Sequence, residues 1–305
     1  MIVILGPTAS GKTHLATQLA YQIGGEIISA DSRQVYRDMT IGTGKDLQEY
    51  LVEGKAIPYH LIDRLDAGGK YNVHQFRQDV LTLLAQIHQR DKVPILCGGT
   101  GLYIQALLQA HHYTEIPINE ELRHEWGTLS HEELVARFLK IPSEFSALAD
   151  TSTRKRTIRA IEIGTYLTQN PHHVFPKTSP LDYRVYGLNP PVEIRRQRIT
   201  RRLHERMQNG LVEEVQGLLD RGISPDDLIY YGLEYKFVTQ YLLGTLPYGT
   251  MLERLETEIH RFAKRQMTYF RKMERDGIAI HWLDGHASPE EWVETITADL
   301  HKKPH

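Results

Sequence analysis

Several familiar classes are excluded by what this chain has little of. There is one cysteine, Cys97, in 305 residues. That rules out an internal disulfide framework and a cysteine-based zinc centre, and a reducing cytoplasm is the expected location. No apolar run approaches the roughly 18–20 residues a membrane-spanning helix requires, so no membrane partner is expected. No charged segment precedes the first apolar residues, so no signal peptide is expected. The 16 histidines form no convincing ligand set, because His111-His112 and His172-His173 are adjacent and lack the spacing that puts two ligands on one helix face. Cys97 sits in an apolar run and reads as a small buried residue rather than a nucleophile. Internal repeats and low-complexity segments are absent.

A net charge of −2 argues against a uniformly basic nucleic-acid binder, but the average hides clustering. Arg154-Lys155-Arg156 with Arg159 is one basic group. Arg195, Arg196, Arg198, Arg201, Arg202 and Arg206 form a second, and Arg261, Lys264, Arg265, Arg271, Lys272 and Arg275 a third. Each alone reads as a solvated helix face. Three in a near-neutral chain favour a localised surface for a polyanion.

The strongest local signal is Gly6-Pro7-Thr8-Ala9-Ser10-Gly11-Lys12-Thr13. It follows the apolar run Ile2-Val3-Ile4-Leu5 and leads into apolar residues at helical spacing, so a strand, a glycine-bounded loop and a helix start occur in the order of a P-loop. Backbone N–H groups and the helix dipole favour an anion there. Lys12 brings a full charge to a phosphate, and the Thr13 hydroxyl is a ligand for Mg²⁺. The competing reading is a purely structural glycine turn. Taken alone, the motif suggests a nucleotide.

Further strands are expected at 26–30, ending at Asp31, at 59–62, ending at Asp63, and at 93–97, stopped by Gly98-Gly99-Thr100-Gly101. Helical spacing covers 13–23, 73–87 and 102–108. Such alternation predicts an α/β fold with a P-loop NTPase-like parallel sheet flanked by helices. Ligands bind beyond the carboxyl ends of such strands, so the P-loop, Asp31, Asp63 and Gly98-Gly99-Thr100 are expected to face one crevice. Strand signals vanish over 113–180, where helices are expected at 120–129, 132–139 and 153–167, with a return at Asn170-Pro171 and Ser179-Pro180. A strand at 184–188 resumes the sheet. Helices are then expected at 191–209, 211–221, 234–243 and 250–274, followed by a strand at 279–283 and a terminal helix. The expected organisation is a catalytic core of 1–112 and 181–305 with a helical insertion domain at 113–180.

The motifs GPTASGKT (6–13), ADSRQVY (30–36), IGTGK (41–45), HLID (60–63), PILCGGTGLY (94–103), RAIE (159–162), GLVEEV (210–215) and AKRQMTYFR (263–271) occur in an order that resembles the tRNA dimethylallyltransferases, also called isopentenyl-tRNA transferases, of bacterial type. The resemblance implies transfer of a dimethylallyl group from dimethylallyl diphosphate to N6 of adenosine 37 in the anticodon loop, with Mg²⁺, by an enzyme expected to be a monomer. It assigns the P-loop to the diphosphate, Asp31 to the general base and Thr100 to a hydrogen bond near the reacting groups. Lys12 with Arg198 and Arg202 would stabilise the departing diphosphate. Asp31, Ser32, Arg33, Gln34, Thr100, Arg123 and the run Lys155, Arg156, Thr157, Ile158, Arg159 would contact the tRNA anticodon stem-loop. The chain departs from the family pattern at Gly44 and Asp46, where Ala and Pro are common, at Arg33, at Lys155, and across Tyr231–Lys236.

These assignments make chemical sense. An adenine amine is a weak nucleophile whose proton a carboxylate must take as the C–N bond forms, and a departing diphosphate needs cations. Other roles stay open for each residue: an N-cap or a ligand to metal-bound water for Asp31, a turn cap for Thr100, surface ion pairs for Arg198 and Arg202, and an exposed helical charge for Arg123. Three other functions also remain: an adenylate isopentenyltransferase acting on free AMP or ATP, a P-loop small-molecule kinase, and a non-catalytic nucleotide-binding adaptor for RNA.

Overall fold

The computed structural model describes residues 1–109, 112–175 and 180–302; His111 and the expected return at Ser179 lie outside them. The described chain forms two compact units, Met1–Leu108 with Leu181–His305, and Gln109–Pro180.

The first unit is built on strands β1 (Ile2–Leu5), β2 (Gly25–Ser29), β3 (Leu51–Val52), β4 (Lys55–Ala56), β5 (Tyr59–His60), β6 (Val93–Gly98), β7 (Arg184–Leu188) and β8 (His281–Leu283). Six of them form one sheet in the order β5-β2-β6-β1-β7-β8, with every pairing parallel; β3 and β4 make a separate antiparallel pair. β1 lies between β6 and β7, so the chain leaves it to one side for β2 and β6 and returns on the other for β7. The loop after β1 therefore opens at the point where strand order reverses, the usual ligand crevice of such sheets.

All four residues of β1 are buried, as expected of a strand covered on both faces. Ile2 and Ile4 join the core formed with Leu15, Leu19 and Trp292, while Val3 and Leu5 join the opposite core with Phe76, Ile104 and Phe270. The two layers follow from the alternation of side chains along a strand. Helix α1 (Lys12–Ile23) is closed by Gly24 in the left-handed conformation. Helices α2 (Val73–Gln89) and α3 (Gly101–Leu108) follow their strands.

The second unit holds α4 (Glu120–Trp126), α5 (His131–Phe138) and α6 (Arg154–Gln169) around Trp126, Leu134, Phe138, Phe145 and Ile161. Ser130 and Glu133 form a capping box at the start of α5. α4 is three residues shorter than its spacing predicts, because Gly127 takes the C-cap.

The chain then returns to the first unit with α7 (Val192–Gln208), α8 (Leu211–Asp220), α9 (Pro225–Tyr230), α10 (Leu233–Leu242), α11 (Tyr248–Arg275) and α12 (Pro289–Leu300). The six-residue α9 and the β3–β4 pair were not expected from periodicity, being too short to carry any. β8 begins two residues later than expected, at His281. In α11 a buried stripe runs Met251, Leu255, Ile259, Ala263, Gln266, Phe270, Met273, at the three-to-four-residue spacing of a core-facing helix. Among the described residues no helix is long and apolar enough to cross a membrane.

Candidate active site

A cavity of about 580 Å³ opens beyond the carboxyl ends of β1, β2 and β6. Its floor is the P-loop. Ala9 has φ +60° and Gly11 φ +91°, left-handed positions that turn the loop sharply before α1. A non-glycine residue there is strained, and such strain concentrates at functional loops. Thr8, Lys12 and Thr13 line the cavity. Burial lowers the pKa of the Lys12 ammonium, the neighbouring Asp31 opposes that shift, and Arg202 adds to it; a bound anion would favour its charged form. Ser10 Oγ, in the same loop, is buried with no partner among the described residues. Gly6, Pro7 and Ala9 of the loop are buried and are not among the cavity-lining residues.

The second wall is the turn after β2. Asp31 Oδ1 accepts from the Arg33 amide at 2.9 Å, which fixes the carboxylate at the cavity edge. Thr100 Oγ1 accepts from the Ser32 amide at 3.2 Å. The turn after β2 and the turn after β6 are thus joined, and Asp31, Ser32, Arg33, Gln34 and Thr100 all line the cavity. At Gly98 any side chain would overlap the Ala30 carbonyl, so glycine is needed where the two loops touch. The guanidinium of Arg33 lies 5.1 Å over the Tyr230 ring, and Tyr230 is 48% exposed.

Gln266 closes the floor from α11. Its Oε1 accepts from Thr8 N at 2.8 Å and its Nε2 donates to Gly99 O at 2.9 Å. A buried glutamine in an otherwise apolar helical stripe was the available sequence signal, and it was missed.

The last wall is the Gly42-Thr43-Gly44 loop with α7 and the start of α10. Glu214 on α8 accepts from the amides of Thr40, Ile41 and Gly42 at 2.8, 2.7 and 3.0 Å, and from Tyr235 OH at 2.7 Å. One carboxylate therefore fixes three consecutive amides, and the Tyr235 hydroxyl beside it is raised well above its ordinary pKa, chiefly by burial. Gln34 Nε2 donates to Gly44 O at 3.1 Å, tying this loop to the Asp31 turn. Arg202 and Arg206 line the cavity beside it. Arg202 pairs with Asp46, and Arg206 with Glu234 at 3.1 Å. Burial raises the Glu234 carboxyl, and Arg206 opposes that shift. Neither Arg206, Glu234, Glu214 nor Tyr235 was singled out as a site residue from the sequence. Gly44, Asp46 and Glu234, which stand where the chain departs from the family pattern, all meet these two arginines.

One expectation requires correction. Asp63 does not line the cavity. It has φ +55°, and its carboxylate is bound to the fully buried Lys45, whose ammonium also donates to Tyr36 O at 2.6 Å. A buried ammonium needs a counter-ion, and Asp63 is spent on that. Arg198, expected beside Arg202 at the diphosphate, is not among the cavity-lining residues, but a Cβ on Gly11 would lie 4.0 Å from its Nη1, which sets its guanidinium beside the P-loop turn. Cys97 is buried as expected, and burial pushes its thiol up to about 12.

In the second unit, the basic residues expected to meet RNA have partners within that unit. Arg123 Nε donates to Glu162 Oε1 at 2.7 Å, and Arg159 Nη1 to Glu162 Oε2 at 3.1 Å. Arg159 also donates to the carbonyls of Tyr113 and Ile116. Arg154 donates to the carbonyls of Trp126, Gly127 and Leu129. Thr157 is fully buried and bonds the Thr151 and Thr153 carbonyls; Ile158 packs against the unit's core. Lys155 and Arg156 are exposed, Arg156 pairing with Asp150 at 2.8 Å.

The IPP transferase family matches residues 34–273. A tRNA dimethylallyltransferase 2 of Phocaeicola vulgatus is 50% identical over 305 residues, covering 99% of this chain and 98% of that protein. A tRNA dimethylallyltransferase 1 of Porphyromonas gingivalis is 52% identical over 298 residues, covering 97% of each. Among solved structures, the tRNA isopentenylpyrophosphate transferase of Bacillus halodurans is similar with a TM-score of 0.72 and 32% identity, covering 98% of this chain and 94% of that one.

Proposed function

The chain belongs to the IPP transferase family, and on that premise we propose that it moves a dimethylallyl group from dimethylallyl diphosphate to N6 of adenosine 37 in the anticodon loop of tRNA, as a cytoplasmic monomer. The observation that carries the reading is one cavity in which Lys12 and Thr13 of the P-loop face Asp31 and Thr100. A phosphate-binding floor beside a carboxylate suits transfer of carbon from a diphosphate to an amine.

In this reading the adenosine is unstacked from its loop to reach the cavity. The N6 lone pair forms the new C–N bond, the C–O bond to the diphosphate breaks, and the bonding pair leaves on oxygen. Asp31 takes the proton that N6 sheds. The hydrogen bond from the Arg33 backbone N–H to Asp31 Oδ1 holds the carboxylate in place, and Thr100, tied to the same turn, orients the acceptor. Lys12 and Arg202 meet the charge that develops on the leaving diphosphate. A single hydroxyl donor at Thr13 suits Mg²⁺, which commonly takes few protein ligands and fills its shell from substrate phosphates and water. The Thr13 hydroxyl would hold it, and when bound it would neutralise charge on the diphosphate. Ser32, Arg33 and Gln34 would contact the RNA at the cavity, with Lys155 and Arg156 of the insertion meeting phosphates.

The test uses labelled dimethylallyl diphosphate, Mg²⁺ and either unmodified tRNA, AMP or ATP. Label should enter tRNA alone. Label entering only AMP would assign the chain to free-nucleotide prenylation, and phosphoryl transfer from ATP without prenyl transfer would make it a kinase.

A further inference from the structure

We propose that Arg206 is a third cation of the diphosphate site, beside Lys12 and Arg202, and that Glu234 holds its guanidinium until the anion arrives. The inference rests on the reading of the P-loop as a diphosphate site. Arg202 and Arg206 are four residues apart on α7 and so share a face. Their guanidinium groups converge on Gly44. A Cβ there would lie 3.3 Å from Arg202 Nη2 and would overlap Arg206 Nη2. Gly44 also has φ +61°, so neither sterics nor backbone admits a side chain between the two cations.

Among the described residues each arginine pairs with one acid. Arg202 holds Asp46, whose side chain is 42% exposed, whereas Arg206 and Glu234 are each only 17% exposed. Stability does not account for the second pair. Replacing a buried ion pair by apolar side chains is often neutral or favourable, and Tyr231, Leu233 and Tyr235 already line this wall. Gathering Lys12, Arg202 and Arg206 at one cavity also sets like charges together where screening is weak. A ligand carrying several negative charges relieves that repulsion. Guanidinium groups bind phosphate oxygens in bidentate fashion, and inorganic diphosphate presents oxygens to more than one of them at once. Glu234 occupies the guanidinium in the meantime, as a carboxylate standing in for a phosphate.

The alternative is that Arg206 serves only as counter-ion to Glu234. The two readings predict opposite behaviour of the two partners. Calorimetric titration with inorganic pyrophosphate and Mg²⁺ is run on the full chain and on Arg206→Met, Glu234→Gln and Lys12→Ala. If Arg206 meets the anion, Arg206→Met binds pyrophosphate about tenfold more weakly, the loss of one charge-assisted hydrogen bond. Glu234→Gln, which releases Arg206, binds it at least as tightly as the unaltered chain. If both variants weaken binding alike, or if Arg206→Met binds normally, the proposal is overturned. Should Arg206→Met fail to fold, Glu234→Gln decides: weaker binding rejects the proposal. Lys12→Ala separates this inference from the reading beneath it. Normal pyrophosphate binding by Lys12→Ala removes the P-loop diphosphate site itself, whereas loss in Lys12→Ala with normal binding in Arg206→Met removes only the role of Arg206.

Discussion

In the insertion, Arg123 and Arg159 grip one carboxylate, Glu162, whose side chain is 1% exposed. On α7, Arg202 and Arg206 each meet a separate acid from a loop or helix start, and both look into a cavity. In sequence Arg159 and the two α7 arginines look alike, each in a short run rich in arginine. In space the insertion's two arginines make a two-to-one arrangement around a buried anion, closed by carbonyl contacts. Those of α7 make one-to-one pairs at the edge of a space that can admit another anion. By this comparison an arginine is a candidate for ligand binding where its donors face a cavity after its partners are counted, and charge clustering alone does not report that.

The largest expected effect is on the cavity side. Lys12→Ala should lower the rate of prenyl transfer by about 10³, the scale of removing one preorganised charge-stabilising donor, with little change in the unfolding midpoint. A rate within threefold of the unaltered chain would place the diphosphate elsewhere. Glu162→Ala is its structural counterpart. Leaving two arginines without their buried partner should cost about 3–5 kcal/mol, read as an earlier unfolding of the insertion by the fluorescence of Trp126, the one tryptophan among residues 109–180. A denaturation curve unchanged by that substitution would mean the pair does not hold the unit together.

A smaller effect is expected at the loop that completes the cavity. Glu214→Gln keeps the shape but not the charge that three amides share, and should cost about 1.5–3 kcal/mol in kcat/KM, recovered in part by Glu214→Asp. Full activity of the Gln variant would show that the loop needs no anchor. Arg156, whose side chain is 60% exposed, sits at the other extreme: Arg156→Ala should leave stability within about 0.5 kcal/mol, while tRNA retention weakens and its salt slope falls by about 1. Unaltered RNA retention at every salt concentration would remove it from the interface.

The smallest effect concerns pH. Glu26 is the core's own two-partner carboxylate, bound by Arg90 at 2.7 Å and His60 at 2.8 Å. Arg90, then His60, hold its pKa below the ordinary 4.5, against the opposing effect of burial. A carboxyl depressed on folding contributes stability that is full above the unfolded pKa and is lost as pH falls through the folded one. Urea midpoints should therefore decline below about pH 4.5, and less steeply in Glu26→Gln; equal slopes would contradict the assignment.

The sheet was readable because its strands are continuous apolar runs ended by Asp31 and by the glycines after Cys97, and helices such as α11 because 28 residues carry many turns of a periodic stripe. The P-loop and the Asp31–Thr100 side of the cavity were readable for a related reason: each is a contiguous motif at the end of a strand. The opposite wall was not. Arg206 meets Glu234 across 28 residues, and Glu214 meets Thr40 across 174; no local pattern encodes such encounters. Asp63 misled for the converse reason. Its place after a strand resembles that of Asp31, but the buried ammonium that claims it comes from Lys45, 18 residues away. That Arg123 and Arg159 share one anion, Glu162, was not legible either, because Glu162 looks like any acidic residue on a helix until its burial is known.

The central claim is that Asp31 accepts the proton as carbon leaves the P-loop-bound diphosphate. Single-turnover transfer from labelled dimethylallyl diphosphate to unmodified tRNA, measured with Asp31→Asn beside filter retention of the same tRNA, tests it most directly. The account predicts near-normal tRNA retention with transfer slowed by at least about 10², the lower range of general-base catalysis. Transfer at the unaltered rate, with retention intact, would contradict it.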